Sequence, residues 1–226
     1  MPNWCSNNLT ISGPDTDLDT ILTKITVTEL GRDALIFNTL FPMPELLEGT
    51  TSPTPDSPEP HPNWAILLAE GTITQEWHDE LVAKNIKAYE DGQKAYQSIG
   101  YFNWYDWQYQ NWGVKWGDSN TRFTSDPSDS DDIRLMFDTP WGPPIKGITK
   151  ISEQFPNCTF TISFSEEGME FMGAARIING EIVAETEVSG EDFPKFPEDA
   201  DMDDDAAWDN FNRSVMDMQA SLEGSL

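Results

Sequence analysis

The sequence predicts an α+β fold in which one antiparallel sheet carries helices on one face. Residues 158–165 alternate apolar and polar side chains, which is the pattern of a half-buried strand. Residues 15–27 place their apolar side chains at helical spacing. The C-terminal half shows two strands, a helix and two further strands in succession, an order typical of a sheet with packed helices.

Residues 1–48 are expected to supply a strand and a helix to this domain. Residues 4–13 alternate loosely and end at a Gly-Pro pair, which favours a strand able to lie at a sheet edge. In the helix predicted at residues 15–27, three aspartates fall in the first turn, where the helix dipole favours negative charge. An apolar run at residues 35–41 stops at Pro42.

Residues 49–63 contain five prolines among Thr, Ser and acidic residues, so we expect an extended loop rather than packed structure. A helix is predicted at residues 73–96, because Thr72 and Gln75 resemble a capping box. Gly92 would mark a kink or a boundary in it. This helix belongs to a helical insertion that we place at residues 64–112.

Eight aromatic side chains lie within residues 101–116, a segment of sixteen positions that spans the end of this insertion. They are Tyr101, Phe102, Trp104, Tyr105, Trp107, Tyr109, Trp112 and Trp116. Tyr101, Tyr105, Tyr109, Trp112 and Trp116 follow a near-helical period. Gly113 is expected to end the helix, and residues 114–116 to begin a strand. Since an aromatic side chain can bury about 150–250 Å², the segment supplies either a domain core or a recognition surface.

Residues 113–184 are predicted to form the sheet region, and residues 185–226 an acidic tail. The sheet region is expected to begin with a polar turn at 118–132, a strand at 133–137 and a helix at 145–155. A strand at 158–165 and a hairpin turn at 166–168 follow, and then one or two strands within 170–183 around an Asn-Gly turn. In the tail, Trp208, Phe211, Val215, Met218 and Leu222 form an amphipathic stripe. Such a stripe docks on its own domain or in a partner's groove.

The formal net charge of −27 disfavours direct binding to nucleic acids and to anionic membranes. From Glu185 onward there are thirteen acids and two bases, a net of −11, so the rest of the chain is also acidic. Three explanations stay open: solubility or adaptation to a salty host, attraction to a partner with a basic surface, and imitation of the phosphate backbone of a nucleic acid.

Metal and cofactor sites are not expected. The two cysteines lie far apart and the two histidines have no ligand spacing, which excludes an iron–sulfur cluster and a structural zinc. The acidic run at residues 199–205 lacks the glycine and glutamate of a calcium-binding EF-hand loop in either register, and we predict a disordered segment. With no leader segment or long apolar run, the protein is expected to be cytoplasmic, with reduced thiols.

No catalytic constellation accompanies these features, and we do not expect an enzyme. Cys158 alternates with phenylalanines rather than with a base, which predicts a buried, inert thiol. His78 and its acidic neighbours point in different directions on a helix, so this cluster is interpreted as a solvated helix start. Phosphate-binding loops, nucleophile elbows and paired-acid motifs are absent from the sequence.

Seven side chains are the candidate binding residues, each with ordinary packing as the alternative. They are Trp104, Trp107, Lys115, Arg134, Trp141, Trp208 and Phe211. Trp141 lies in a Thr-Pro-Trp-Gly-Pro-Pro segment whose prolines stiffen the turn that presents it. Tryptophan and tyrosine are the residues enriched at binding hot spots.

Several short motifs stand out by their tryptophan, glycine and proline content. They are Met1-Pro2-Asn3-Trp4-Cys5-Ser6-Asn7, Asn111-Trp112-Gly113-Val114-Lys115-Trp116-Gly117, Phe137-Asp138-Thr139-Pro140-Trp141-Gly142-Pro143-Pro144, Phe155-Pro156 and Phe171-Met172-Gly173. In this order they resemble the YubB-like family of phage- and plasmid-encoded accessory proteins, over residues 1–13 and 111–183. The resemblance implies a ferredoxin-like C-terminal domain, a mobile-element origin and no catalytic residues to carry over.

These observations favour a non-enzymatic phage or plasmid protein that binds a host protein with a basic surface and counters host defence. A DNA mimic is one alternative, and rows of carboxylates at phosphate spacing would favour it. A small-ligand binder or an enzyme is another, and a deep aromatic pocket with converging Lys115 and Arg134 would favour it.

We predict that the purified protein carries no stoichiometric iron or zinc, because its sequence lacks a ligand set for either metal. Elemental analysis of the metal content per chain checks this. About one equivalent of a transition metal that survives dialysis against a chelator would contradict it.

Overall fold

The computed structural model describes residues 3–25, 36–126, 130–197, 201 and 203–226. The chain forms two compact units, one made of residues 1–42 and 110–226 and the other of residues 43–109. The second unit includes the proline-rich segment at 49–63 as well as most of the predicted insertion.

A six-stranded antiparallel sheet forms the first unit, with the strand order β2-β3-β1-β4-β5-β6. Its strands are β1 (Trp4–Ser12), β2 (Ser119–Phe123), β3 (Asp132–Pro140), β4 (Thr159–Glu166), β5 (Phe171–Ile178) and β6 (Glu181–Ser189). The helices of this unit are α1 (Asp15–Ile25), α2 (Phe37–Leu40), α6 (Ile145–Ser152) and α7 (Asp205–Gly224). The predicted α+β fold with one antiparallel sheet is confirmed.

One face of the sheet carries the main core. Cross-strand partners of an antiparallel sheet share a face, so Leu9 lies beside both Leu135 and Ile162. The rings of Phe37 in α2 and Phe137 in β3 are 6.4 Å apart, which places α2 on this face. At Gly147 in α6, a Cβ atom would lie 2.3 Å from the Phe37 ring. Only glycine therefore lets α6 approach this closely.

The other face is partly covered by α7. Its Phe211 and Val215 pack with Met172 of β5 and with Phe193 in one buried cluster. Gln219 Nε2 also donates a hydrogen bond to Ser163 Oγ at 3.1 Å. Of the two alternatives for the stripe, the structure shows docking on its own domain. The expected placement of helices on one face only is corrected. The tail predicted at residues 185–226 contributes half of a strand and a docked helix.

Three local predictions differ from the structure. β1 pairs with β3 on one side and β4 on the other, so it is an interior strand rather than an edge strand. Residues 114–116 are irregular, and β2 lies inside the segment predicted as a polar turn. The acid in that turn has a structural role, because the Asp118 carboxylate accepts hydrogen bonds from the backbone N–H groups of Ile36 and Phe37. Residues 26–35 and 127–129 lie outside the described ranges.

The second unit is helical. After a short 3₁₀ turn at Glu45–Leu47 it contains α3 (Pro62–Ala69), α4 (Gln75–Ile99) and the start of α5 (Trp104–Asn111). The proline-rich segment packs on α4, since Asn85 Nδ2 donates hydrogen bonds to the carbonyl oxygens of Ser57 and Glu59. As predicted, the segment has neither helix nor strand up to His61, but it packs against α4 instead of standing free.

Gly92 does not end α4, which continues to Ile99. A Cβ atom at Gly92 would lie 2.3 Å from the Thr54 methyl carbon, so the glycine admits the proline-rich segment to the helix surface.

We predict that Phe211→Ala lowers the free energy of unfolding by about 3 kcal/mol, because Phe211 is 8% exposed in the cluster under α7. Met216→Ala is the matched control on the same helix. Its side chain is 62% exposed, and the change should cost less than about 0.5 kcal/mol. Urea denaturation followed by circular dichroism measures both, and equal losses would show that α7 is not docked as described.

Candidate functional site

Three tryptophans from separate parts of the sequence meet at one end of the sheet, and we call Trp4, Trp116 and Trp141 the tryptophan cluster. Trp4 begins β1 and lies opposite Pro140, the last residue of β3, so the register brings Trp4 and Trp141 to the same end. The ring centroids of Trp4 and Trp116 are 6.4 Å apart, and those of Trp116 and Trp141 are 5.9 Å apart. Trp4 is 42% exposed and Trp141 45% exposed.

Lys115 joins two of these rings. Its Nζ atom lies 4.8 Å from the ring centroid of Trp116 and 5.5 Å from that of Trp141. Both distances are within the range of a cation–π interaction. The ammonium group therefore helps to hold the two indoles in their relative positions while the cluster stays open to solvent.

The turn that carries Trp141 is held from two sides. Trp141 has a φ angle of 62°, which is strained for a residue other than glycine. Its backbone N–H donates to the carbonyl oxygen of Asn3 at 2.9 Å. The Thr139 hydroxyl donates to the carbonyl oxygen of Gly142 at 2.8 Å and so closes the turn. These bonds offset the strain and fix the position of the Trp141 indole.

A buried amide connects this turn to β1. Asn7 is fully buried, and its Nδ2 donates to Thr139 Oγ1 at 2.8 Å and to the carbonyl oxygens of Cys5 and Phe137 at 2.9 and 3.2 Å. A buried amide without hydrogen-bond partners would cost free energy. These three bonds therefore stabilise this arrangement of the two strands. Asn7 thus ties the start of β1 to the end of β3, next to the turn that carries Trp141.

The thiols of Cys5 and Cys158 are buried in surroundings that do not activate them. Burial raises the pKa of the Cys5 thiol far above its ordinary value, and the Glu166 and Asp138 carboxylates raise it further. Burial also raises the pKa of Cys158, with a contribution from Asp17. Since the thiolate is the nucleophile, neither cysteine is set up for covalent chemistry.

Of the seven candidate residues, the structure brings Lys115 and Trp141 together and leaves Arg134 apart from them. Arg134 lies near the start of β3 and pairs with Asp132 at 3.4 Å. Six residues of strand separate it from Pro140, which corresponds to about 20 Å. A pocket that combines Lys115, Arg134 and Trp141 is therefore not formed.

Trp208 and Phe211 belong to the cluster under α7. Their ring centroids are 5.8 Å apart, and Phe196 lies 4.6 Å from Trp208. Phe211 is buried and Trp208 half-buried against the chain's own sheet. In this structure both residues stabilise the docking of α7.

Trp104 and Trp107 lie on α5 in the second unit. Trp107 is buried, and Trp104 is half-buried with its backbone N–H bonded to Thr50 Oγ1 at 3.0 Å. Packing therefore explains these two tryptophans. The predicted helical period from Tyr101 to Trp116 is interrupted, because α5 spans only Trp104–Asn111. Within α5, Tyr105 and Tyr109 stack on each other, and Tyr109 is mostly exposed.

Sequence reasoning missed Trp4, Trp116 and Asn7 as parts of one site. Local patterns place Trp4 and Asn7 only in the opening motif, and Trp116 only in a helical period. Asn7 and Thr139 are 132 positions apart, so no local pattern connects them.

In the part of the chain that the structure describes, no helix combines the length and apolar character that a bilayer crossing needs. Among the same residues, His, Cys, Asp and Glu side chains form no group of three or more that could hold a metal ion. Of the acidic run at 199–205, residues 199, 200 and 202 lie outside the described ranges.

We predict that iodoacetamide labels neither cysteine of the folded protein at mildly alkaline pH, and labels both in denaturant, as read by mass spectrometry. Because the pKa of Cys5 is raised by folding, the folded state holds this proton more tightly than the unfolded state. The contribution of the Cys5 thiol to the free energy of unfolding is fully present below about pH 8.5, the ordinary pKa of cysteine, and is lost as the pH rises further. The variant Cys5→Ala should lose less stability at alkaline pH than the parent does. Rapid labelling of the folded protein would contradict the first expectation.

Residues 111–210 match the family model described as the ferredoxin-like domain in Api92-like proteins. Among solved structures, the protein Api92 from Yersinia pseudotuberculosis is 15% identical in sequence, with a TM-score of 0.45, and the match covers 85% of this chain and all of that one. No curated protein matches the chain significantly. The observed antiparallel sheet and the family model agree that residues 111–210 lie in a ferredoxin-like domain.

Proposed function

We propose that this chain is a non-enzymatic protein that binds a host protein, and that the tryptophan cluster is the contact surface. The observation that carries the proposal is the exposure of two indoles at positions that are already ordered: Trp4 at the start of β1, and Trp141 on a hydrogen-bonded turn. Tryptophan is among the residues that dominate binding energies at interfaces. Because Asn7, Thr139 and Lys115 hold the indoles in place, little side-chain entropy would be lost when a partner covers them.

The charge distribution supports a partner with a basic surface. Residues 110–152, which contain Lys115, Trp116 and Trp141, hold six acids and five bases, so nearly all of the net charge of −27 lies elsewhere. An acidic body of this kind accelerates the approach of a basic partner. The tryptophan cluster would then supply the apolar contact that slows dissociation.

The resemblance of residues 1–13 and 111–183 to phage- and plasmid-encoded accessory proteins supports a mobile-element origin. Such a protein would act in the host cytoplasm, and a component of host defence is the class of partner that this origin favours. The separation of Arg134 from Lys115 removes the support for a ligand pocket that combines these two residues with Trp141.

The test begins with affinity capture from host cells followed by mass spectrometry, which identifies the partner. The double variant Trp4→Ala with Trp141→Ala should then weaken binding about 30-fold, as expected for a loss of about 2 kcal/mol at a hot spot. The reason is that both indoles leave the contact while the acidic surface is unchanged.

Ile182→Ala is the matched control, because Ile182 is 45% exposed on β6, as Trp141 is in the cluster. It should bind like the parent. Kinetics across a salt series should show that the double variant keeps the salt dependence of association and dissociates faster. If the double variant binds as tightly as Ile182→Ala, the tryptophan cluster is not the contact surface.

A further inference from the structure

The helix α3 in the second unit is apolar on nearly every side, yet none of its residues is buried. Its sequence is Pro-Asn-Trp-Ala-Ile-Leu-Leu-Ala. A helix that is hydrophobic all round is normally enclosed by protein or lipid. The described part of the unit therefore leaves this helix without the cover that its composition calls for.

The exposed side of α3 has the spacing of a helix-packing face. Pro62, Ala65, Ile66 and Ala69 are all exposed and fall at positions i, i+3, i+4 and i+7. Residues at this spacing form one stripe on a helix. Ile66 is 53% exposed, and the two alanines beside it allow another backbone to approach closely. We call these four residues the α3 stripe.

The position of α3 is fixed before any partner binds. The turn into α4 passes through Gly71, which has a φ angle of 73°, and the backbone N–H of Thr72 donates to the carbonyl oxygen of Leu67 at 2.9 Å. At the other end, His61 Nδ1 accepts a hydrogen bond from the backbone N–H of Asn63 at 3.2 Å. The stripe is thus presented on an ordered hairpin, so binding would order little of this chain.

A groove adjoins the α3 stripe, and Pro62 belongs to both. The groove has a volume of about 880 Å³ and lies between the proline-rich segment, α3 and α4. Its apolar walls include Pro55, Pro60, Trp64 and Leu67. A large apolar side chain of a partner that packs on α3 would find space in this groove.

The chain around α3 is mostly acidic, although Lys84 and Lys87 of α4 line a pocket together with Trp64. Residues 43–83 contain eight carboxylates and neither lysine nor arginine. The eight are Glu45, Glu48, Asp56, Glu59, Glu70, Glu76, Asp79 and Glu80. An apolar stripe inside an acidic segment is complementary to an apolar stripe inside a basic one.

We propose that the α3 stripe binds an amphipathic helix of a partner protein that carries lysine and arginine on its polar face. A second copy of this chain does not fit, because its own amphipathic helix α7 bears Asp205, Asp209, Asp217 and Glu223 against a single Arg213. This inference extends the proposed protein-binding function to a second surface. The test leaves the tryptophan cluster unchanged, so either proposal can fail alone.

The test uses the full chain and a fluorescently labelled peptide of about 18 residues, or five helical turns, with leucines on one face and lysines on the other. Fluorescence anisotropy should show binding that weakens as salt rises. The variant Ala65→Gln with Ile66→Ser should weaken it at least about tenfold, because it makes the stripe bulkier and polar. Ile182→Ser, an equivalent change on exposed β6, should leave it unchanged.

Specificity is tested with a scrambled peptide of the same composition, which keeps the charge but loses the helical stripe. It should bind at least about tenfold more weakly. Equal binding of the two peptides, or equal binding by the stripe variant and the Ile182→Ser control, would overturn the proposal. Circular dichroism confirms that the variant is folded, as expected for exposed positions.

Two other occupants are outcomes of the same experiment. The parent protein and the stripe variant are each sedimented with zwitterionic phosphatidylcholine vesicles. If the parent sediments with the vesicles and the variant does not, the stripe is a membrane-binding surface and the proposal is overturned. A dimer in light scattering that the stripe variant converts to a monomer would assign the stripe to a second copy and would also overturn it.

Discussion

The antiparallel pairing of β1 with β3 determines where the other parts of the first unit lie. β1 is the interior strand that joins residues near the N-terminus to strands more than a hundred positions later. Its buried side chains Leu9 and Ile11 meet apolar partners on both neighbouring strands, so a shift by one residue would turn the core side chains of β1 to the other face. The register also places Trp4 beside the turn after β3. Core and exposed cluster therefore depend on the same ladder.

The acidic character of the chain is compatible with this sheet because the carboxylates lie where charge is tolerated or useful. The edge strand β6 carries Glu181, Glu185 and Glu187, and charged side chains on an edge discourage pairing with another sheet. Asp204 caps α7 by accepting hydrogen bonds from the backbone N–H groups of Ala206 and Ala207. The buried Glu166 accepts from the N–H groups of Gly168 and Met169 in its hairpin turn.

Elements with a strong local period could be predicted from sequence, and those defined by distant partners could not. The strand β4 and the helix α1 were predicted because their apolar residues keep strand or helical spacing, although Ser163 and Ser165 of β4 are buried as well. β2 was missed because it is short and polar, and its place at the sheet edge comes from pairing with β3. The tryptophan cluster was only half predicted, since Lys115 and Trp141 drew attention by composition while Trp4 joins them through the register. The packed proline-rich segment depends on Asn85, whose role has no local signal.

The hydrogen bond from Trp112 Nε1 to the carbonyl oxygen of Phe41, at 3.0 Å, has a consequence for how this protein can vary. Both residues belong to the first unit, and they flank the point where the chain leaves it and the point where it returns. The two junctions of residues 43–109 therefore meet at one place in the first unit. An inserted module whose ends meet can be lengthened, exchanged or lost with little effect on the host domain. Relatives could thus keep the sheet and carry quite different modules at this point.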